Sequence, residues 1–305
     1  MRVLLIVLLF LSQQSFCGAF TGEKTLLHEG LQRTYWLHIP TNVMPNAPLL
    51  VVIHGYTSKA RYIMDYSNMN DIADREGFVV AYPQGTVDLQ GNTFFNVGYD
   101  SHKYSKVDDV SFIRQLVQDL RKRYDLSSDK IFATGMSNGG DMSYMLACTS
   151  SDIFKAFAPV AGVLMKEIRD SCNTEAPVPL FEIHGTKDYI SLYEGDMDNS
   201  DGYGAYLDLI SSTQFFVKAN KLNKISINRL EDKDPNDGSS VTFERYYSED
   251  NNRQVWFYII EGGGHHWPGA QIAWWQYPMD WIRARSDNRD INASEEIWSF
   301  FSEYL

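Results

Sequence analysis

Short apolar runs alternate with helical stripes through the first two thirds of the chain. Gly30 to Pro40 alternates polar and apolar positions, which places Arg33, Tyr35, Leu37 and Ile39 on one side of an early strand. Leu49 to His54, rich in Val and Ile and followed by Gly55, has the pattern of a strand buried on both faces. Ala60 to Glu76 reads as one helix stopped at Gly77. Phe78 to Tyr82 reads as a further buried strand, closed by Pro83-Gln84-Gly85. A loop rich in Gly, Asn and Tyr runs from Thr86 to Lys106, and loops beyond about 15 residues tend to be functional. Val110, Ile113, Val117, Leu120 and Tyr124 then make a helical stripe. Asp108 and Asp109 stand at its start, where acidic side chains cap free N–H groups and suit the helix dipole. A strand over Lys130 to Thr134, a helix from Asn138 to Cys148, and strands over Phe157 to Ala161 and Val178 to Ile183 follow. The last third adds a helix over Ser212 to Asn220 and a strand over Gln254 to Glu261. A closing helix begins at Asn292, with Glu295 three residues on as in a capping box, and turns Ile297, Phe300, Phe301 and Tyr304 inward.

This order predicts an α/β protein with an open, mostly parallel central sheet and helices on both faces. No internal repeat or Pro/Ser-rich linker divides the chain. The N-terminus stands apart: Arg2 precedes an apolar run, Val3 to Leu11, too short for a bilayer, which needs about 20 residues. Cys17-Gly18-Ala19 supplies the small residues of a cleavage site. The expectation is a signal peptide over 1–19 and a single catalytic domain over 20–305. A lipoprotein reading through Cys17 meets bulky Phe16 where a small residue is wanted. The mature chain is expected to be soluble and secreted, extracellular or periplasmic.

Charge narrows the partners. Across 305 residues, 27 Lys+Arg against 39 Asp+Glu give a net charge of −12. That balance argues against nucleic acid and against anionic membrane surfaces as partners. Hydrophobic content of 44% and charged content of 22% exclude a disordered chain. Loss of Cys17 with the leader leaves Cys148 and Cys172, an even pair in an oxidising compartment, so a disulfide is expected. Two buried free thiols are the alternative.

Gly135-Met136-Ser137-Asn138-Gly139 fits G-x-S-x-G between an expected strand and an expected helix. A sharp turn there lifts a serine hydroxyl off the sheet edge, and flanking glycines let neighbouring backbone pass. Serine needs a base, and the base an orienting acid. Asp188 follows the strand Val178 to Ile183 through His184-Gly185-Thr186-Lys187, on the side of the sheet where active sites of open α/β folds sit. Gly262-Gly263-Gly264-His265-His266 follows the strand Gln254 to Glu261, which makes His265 the expected base and His266 the lesser candidate. The expected oxyanion donors are the backbone N–H groups of Asn138 and Tyr56. His54 reads as a buried structural histidine rather than an acid or base.

His54-Gly55, Tyr82-Pro83-Gln84-Gly85, Val107-Asp108-Asp109-Val110, Gly135 to Gly140, His184 to Asp188 and Gly262 to Gly269 occur in that order. From about residue 30 onward the chain resembles the secreted α/β-hydrolase esterases that include feruloyl esterases, acetyl xylan esterases and poly(3-hydroxybutyrate) depolymerases. The resemblance implies a triad of Ser137, Asp188 and His265, and a cystine near the nucleophile helix that matches Cys148 and Cys172. It implies a serine carboxylic-ester hydrolase that needs no metal and no organic cofactor. Where the family often has a Pro-Tyr turn after the acid, this chain has Ser191-Leu192-Tyr193 and an acidic insertion, Glu194 to Asp201. Without a polymer-binding module in the sequence, ester side groups of plant polysaccharide are the expected substrate and polyester the alternative. A non-catalytic carbohydrate-binding protein on a hydrolase scaffold is a reading from another class. Trp267, beside the expected base, is the expected substrate-stacking ring, with Trp274, Trp275 and Trp281 as further candidates.

Two acidic stretches, Asp196 to Gly202 and Asp232 to Gly238, approach a calcium-loop pattern, with Asp208 and Glu244 six residues past their glycines. Both are one residue too long for an EF-hand. The second reads as a Pro-Asn-Asp-Gly turn between strands. Asn292-Ala293-Ser294 fits a glycosylation sequon, but Asn292 reads as the helix cap.

Overall fold

A computed structural model describes residues 19–173, 175–270 and 287–305. The expected leader before Ala19 and the candidates Trp274, Trp275 and Trp281 lie outside the described residues. In chain order the strands are β1 (Phe20–His28), β2 (Leu31–Ile39), β3 (Leu49–Ile53), β4 (Val79–Pro83), β5 (Thr86–Val87), β6 (Thr93–Phe94), β7 (Ile131–Met136), β8 (Ala156–Val160), β9 (Leu180–Gly185), β10 (Lys224–Arg229), β11 (Ser240–Tyr247) and β12 (Gln254–Glu261). The described helices are α1 (Ala60–Ser67), α2 (Met69–Glu76), α3 (Asp109–Tyr124), α4 (Asn138–Thr149), α5 (Lys166–Asp170), α6 (Leu209–Ala219) and α7 (Ala293–Ser302).

Apart from the small β5–β6 pair, the strands form one sheet in the order β1-β2-β4-β3-β7-β8-β9-β12-β11-β10. The centre, from β4 through β12, is parallel, and antiparallel strands close both edges. β3 shows why the centre reads as continuous apolar sequence. Leu49, Val51 and Ile53 pack into one core with α3, α4 and α6, while Leu50 and Val52 pack into a second with α1, α2 and α7. Both faces are covered, so no position along the strand is polar.

The chain first leaves β3 toward β4, then crosses back to β7 and continues through β8 and β9 to β12. This reversal opens a crevice at the carboxyl ends of the strands. The register aligns those ends: Ile53 pairs with Gly135, Val160 with Ile183, and Gly185 with Ile260. The segments carrying Tyr56, Ser137, Asp188 and His265 therefore leave the sheet at one rim.

Several local expectations change. The stretch Ala60 to Glu76 is two helices, because Asn68 adopts a left-handed conformation with φ 52° between α1 and α2. Asn tolerates that region, and its side chain donates to the Asp71 carboxylate at 2.8 Å. Asp108 caps α3 by accepting from the Ser111 N–H at 2.8 Å. Asp109 does not cap; it turns inward to a buried ion pair with Arg33 at 2.6 Å. Asn292 caps α7 by accepting from the Ser294 and Glu295 N–H groups, but only half of the box forms. The Glu295 carboxylate reaches across to Arg75 instead. Asp208 caps α6, and Glu244 accepts from the Tyr246 hydroxyl. Neither acid joins the loop preceding it. A disulfide joins Cys148 at the end of α4 to Cys172 after α5, with Cα atoms 4.5 Å apart.

Candidate active site

Ser137 stands between β7 and α4 with φ 58° and ψ −124°, a strained conformation for a residue with a side chain. Its N–H donates to Val160 O at 2.9 Å, and its carbonyl accepts from Asp141 N at 2.9 Å. The flanking glycines are required by the end of β3. A Cβ on Gly139 would lie 2.1 Å from Ile53 O, and one on Gly135 would lie 2.7 Å from the same oxygen. Any larger residue would push the turn off the sheet.

Asp188 and His265 meet. His265 Nδ1 lies 2.7 Å from Asp188 Oδ2, so the ring donates to the carboxylate from that nitrogen. The other carboxylate oxygen accepts from the Ile190 and Ser191 N–H groups at 2.9 and 2.8 Å. Burial works against the Asp188 charge. The His265 imidazole beside it, aided by His184 and the Ser191 amide, nonetheless holds its carboxyl below the usual range. His266 also lines the cavity that Ser137 and His265 share but is engaged by other partners: it is buried, its Nε2 accepts from Asn288 N–H at 3.0 Å, and burial pulls its pKa down to about 4.

Ser137 and His265 line one cavity of about 660 Å³. Gly55 and Tyr56 form part of its wall beside Ser137, where a Cβ on Gly55 would lie 3.2 Å from Ser137 Cβ. The turn carrying Tyr56 is fixed by Thr57 N–H donating to Thr93 O at 2.8 Å. The Tyr56 hydroxyl donates to Asp88 at 2.6 Å and accepts from Asn92 at 2.9 Å, so the Thr86 to Lys106 loop holds the ring. Asn138 opens α4, which leaves its N–H without an intrahelical acceptor. Its side chain exchanges two hydrogen bonds with the Phe95 backbone. His54 is buried and outside the cavity lining. Its Nδ1 donates to Gly55 O and its Nε2 accepts from Gly85 N; burial lowers its pKa to about 4.

Trp267 is the one expected site residue that the structure places elsewhere. It is 1% exposed, packs in the core beneath α7, and donates from Nε1 to Ser294 Oγ at 3.0 Å. The indole is consumed by the interior and does not line the cavity. The rings at the cavity wall are tyrosines instead, among them Tyr99, Tyr203 and Tyr206. These come from the Thr86 to Lys106 loop and the segment after the acidic insertion. Asp100 N–H donates to Tyr203 O at 3.0 Å, and Asn199 donates to the Asp100 carboxylate at 2.7 Å, which ties the two loops together. Asp196 accepts from Ser200 and Asp201 N–H groups, so its carboxylate organises the insertion.

Asp141 was not legible as a site residue. It sits one helical turn past Ser137, lines the cavity, and accepts from the Tyr99 hydroxyl and from Val163 N. Burial raises its pKa to about 7, against the Tyr99 and Val163 hydrogen bonds. Its spacing of four from Ser137 on a helix is the signal that places both on one face.

The fold and this rim define the class: the chain has the α/β-hydrolase fold. An acetyl xylan esterase from Aspergillus awamori superposes with a TM-score of 0.56 at 15% identity, covering 86% of this chain and 99% of that one. Within that class, residues 33–179 match the family described as esterase PHB depolymerase, and the resemblance carried by the motifs holds over that stretch. A bifunctional acetylxylan esterase/xylanase from Neocallimastix patriciarum is 29% identical over 171 residues, 54% of this chain and 23% of that protein. Feruloyl esterase B from Piromyces equi is 28% identical over 230 residues, 75% of this chain and 41% of its own length. The chain thus spans less than half of either relative.

Proposed function

We propose that the chain is a secreted serine carboxylic-ester hydrolase acting on ester side groups of plant polysaccharide, with feruloyl esters as the leading substrate class. The observation that carries this reading is the 2.7 Å contact between Asp188 and His265 at a cavity that Ser137 lines from a strained turn. In this mechanism Ser137 attacks the ester carbonyl while His265 takes its proton and passes it to the leaving alcohol. Asp188 fixes the Nδ1–H tautomer, leaving Nε2 as the base, and stabilises the imidazolium. The N–H groups of Asn138 and Tyr56 receive the oxyanion. Water, activated by His265, then releases the acid from the acyl-enzyme. Residues 1–19 are the export signal in this reading, and 20–305 the catalytic domain.

The tyrosine-walled cavity suits an aromatic acyl group, since such rings offer apolar faces and polar edges. Relatives named for acetylxylan and feruloyl ester hydrolysis support the polysaccharide side. Polyester is the second reading, favoured by the family description. Rates on methyl ferulate, acetylated xylan and 3-hydroxybutyrate oligomers separate the two. The reading predicts the highest kcat/KM on ferulate; a preference for the oligomers would move the assignment to polyester. Absence of ester turnover together with carbohydrate binding would favour the non-catalytic alternative.

A further inference from the structure

Behind Asp188 lies a buried polar chain that the proposed chemistry does not use. β9 carries Glu182 and His184 on one face, both with fully buried side chains, in a strand whose other residues are apolar or Gly185. Tyr144, on the helix that begins beside Ser137, donates to Glu182 Oε2 at 2.7 Å. Glu182 Oε1 lies 3.1 Å from His184 Nδ1. His184 Nε2 lies 2.8 Å from Ser191 O and 3.4 Å from Asp188 Oδ2.

Hydrogen-bond chemistry fixes one proton. A carbonyl and a carboxylate oxygen only accept, so His184 Nε2 must carry hydrogen. Nδ1 and Glu182 then share a single further proton, as imidazolium and carboxylate or as imidazole and carboxylic acid. Either way Nε2–H stays aimed at the Asp188 turn.

We propose, on the reading that Asp188 orients the catalytic base, that Glu182 and His184 are positioning residues for this acid. Glu182 anchors the His184 ring from its Nδ1 side. His184 closes the turn from 184 to 191 and shares Asp188 Oδ2 with His265, so that the carboxylate sits between two imidazoles. Tyr144 joins this assembly to α4, and hence the acid's turn to the nucleophile's helix. The other groups facing the pair are Asp141 from α4 and the Tyr193 ring, 6.4 Å from His184. Burial raises the Glu182 pKa to about 7, against the opposing pull of His184; burial lowers that of His184, but Glu182 and Asp188 reverse the shift upward. Both directions fit a proton shared between the two.

Glu182→Leu leaves Nδ1 without a partner and frees the ring on that side. Glu182→Gln keeps that anchor, because the amide N–H can donate to Nδ1 while Nε2–H remains. The experiment measures kcat, KM and the pH profile on p-nitrophenyl acetate, normalised by fluorophosphonate titration of active sites. In Glu182→Leu, kcat per site falls about tenfold or more, since small misplacements of catalytic groups are costly. KM changes little, because Glu182 touches no substrate. The acid limb of kcat/KM moves to higher pH: with the His184 Nε2–H no longer held against Oδ2, the Asp188 charge acts more fully on the base and favours its protonated, inactive form. Glu182→Gln recovers most of kcat and the wild-type limb. Wild-type kcat and limb in Glu182→Leu would overturn the proposal, as would a Glu182→Gln enzyme equally impaired. No turnover by the wild type would overturn the esterase reading itself.

Discussion

The Arg33–Asp109 pair gives a quantitative test of how the cavity wall is held. Arg33 from β2 and Asp109 from α3 are both buried, 2.6 Å apart, and the guanidinium lies 3.8 Å from the Phe112 ring centroid. The other Asp109 oxygen accepts from Asn96 N–H at 2.7 Å, so the same carboxylate anchors the Thr86 to Lys106 loop. Arg33→Met keeps most of the apolar stem and strands the carboxylate. Removing one member of a buried pair costs about 3–5 kcal/mol. That is on the order of a hundredfold to several thousandfold in the folded-to-unfolded ratio. With a urea slope of about 3 kcal/mol per molar, the midpoint falls by at least about 1 M. The pH dependence has a definite sign. Burial raises the Asp109 pKa against the pull of Arg33, and losing Arg33 raises it further. A raised carboxyl disfavours its charged form in the folded state; that cost is present above the folded pKa and fades as pH falls. The deficit of Arg33→Met is therefore largest near pH 8 and shrinks toward pH 5. Adding Asp109→Leu to Arg33→Met restores most of the loss, less about 1 kcal/mol for the unpaired Asn96 amide. A deficit under about 1 kcal/mol at pH 8, or one that grows on acidification, would show that Arg33 does not neutralise a buried Asp109 charge.

Three further outcomes follow from the same structure. Replacing both Cys148 and Cys172 by Ser removes a cross-link spanning 24 residues and lowers stability by roughly 3 kcal/mol, measured as a fall in Tm of roughly 5–10 °C against wild type under oxidising conditions. Trp267→Phe lowers Tm through the lost hydrogen bond to Ser294 and lost packing, yet leaves KM for methyl ferulate unchanged; a several-fold rise in KM without destabilisation would return the indole to the substrate. His54, neutral when folded with a pKa near 4, lets only the unfolded chain take up a proton below about 6.5, so it removes stability between those pH values, by up to about 3 kcal/mol at the acid end. The stability deficit of His54→Gln measured by urea unfolding therefore narrows from pH 7 to pH 4. A constant deficit would contradict this.

Most of the parallel sheet was readable because strands buried on both faces cannot hide their apolar runs. The edges were not. β10 is exposed at nearly every position, so Lys224 to Arg229 shows no alternation, and β1 alternates between half-buried and exposed up to a buried His28. The apolar stripe of Ala60 to Glu76 continues through the break at Asn68, because both helices face the same core. The strand-turn-helix setting of Ser137 and the strand-end positions of Asp188 and His265 were legible, since topology alone brings those ends to one rim. What surrounds them was not: a buried Asp141, a Glu182–His184 pair inside an apolar strand, and a tryptophan beside the base that packs inward all depend on tertiary neighbours. Trp267 failed for a plain reason. Nearness in sequence to His265 says nothing about which side of the chain a ring takes.

The most direct measurement is mass-spectrometric mapping of the adduct formed by a fluorophosphonate on the intact protein. One modification is expected, on the peptide containing Ser137, absent in Ser137→Ala, strongly slowed in His265→Ala, and paralleled by loss of ester turnover in both. An adduct on another residue, or ester turnover that survives Ser137→Ala, would exclude Ser137 as the nucleophile.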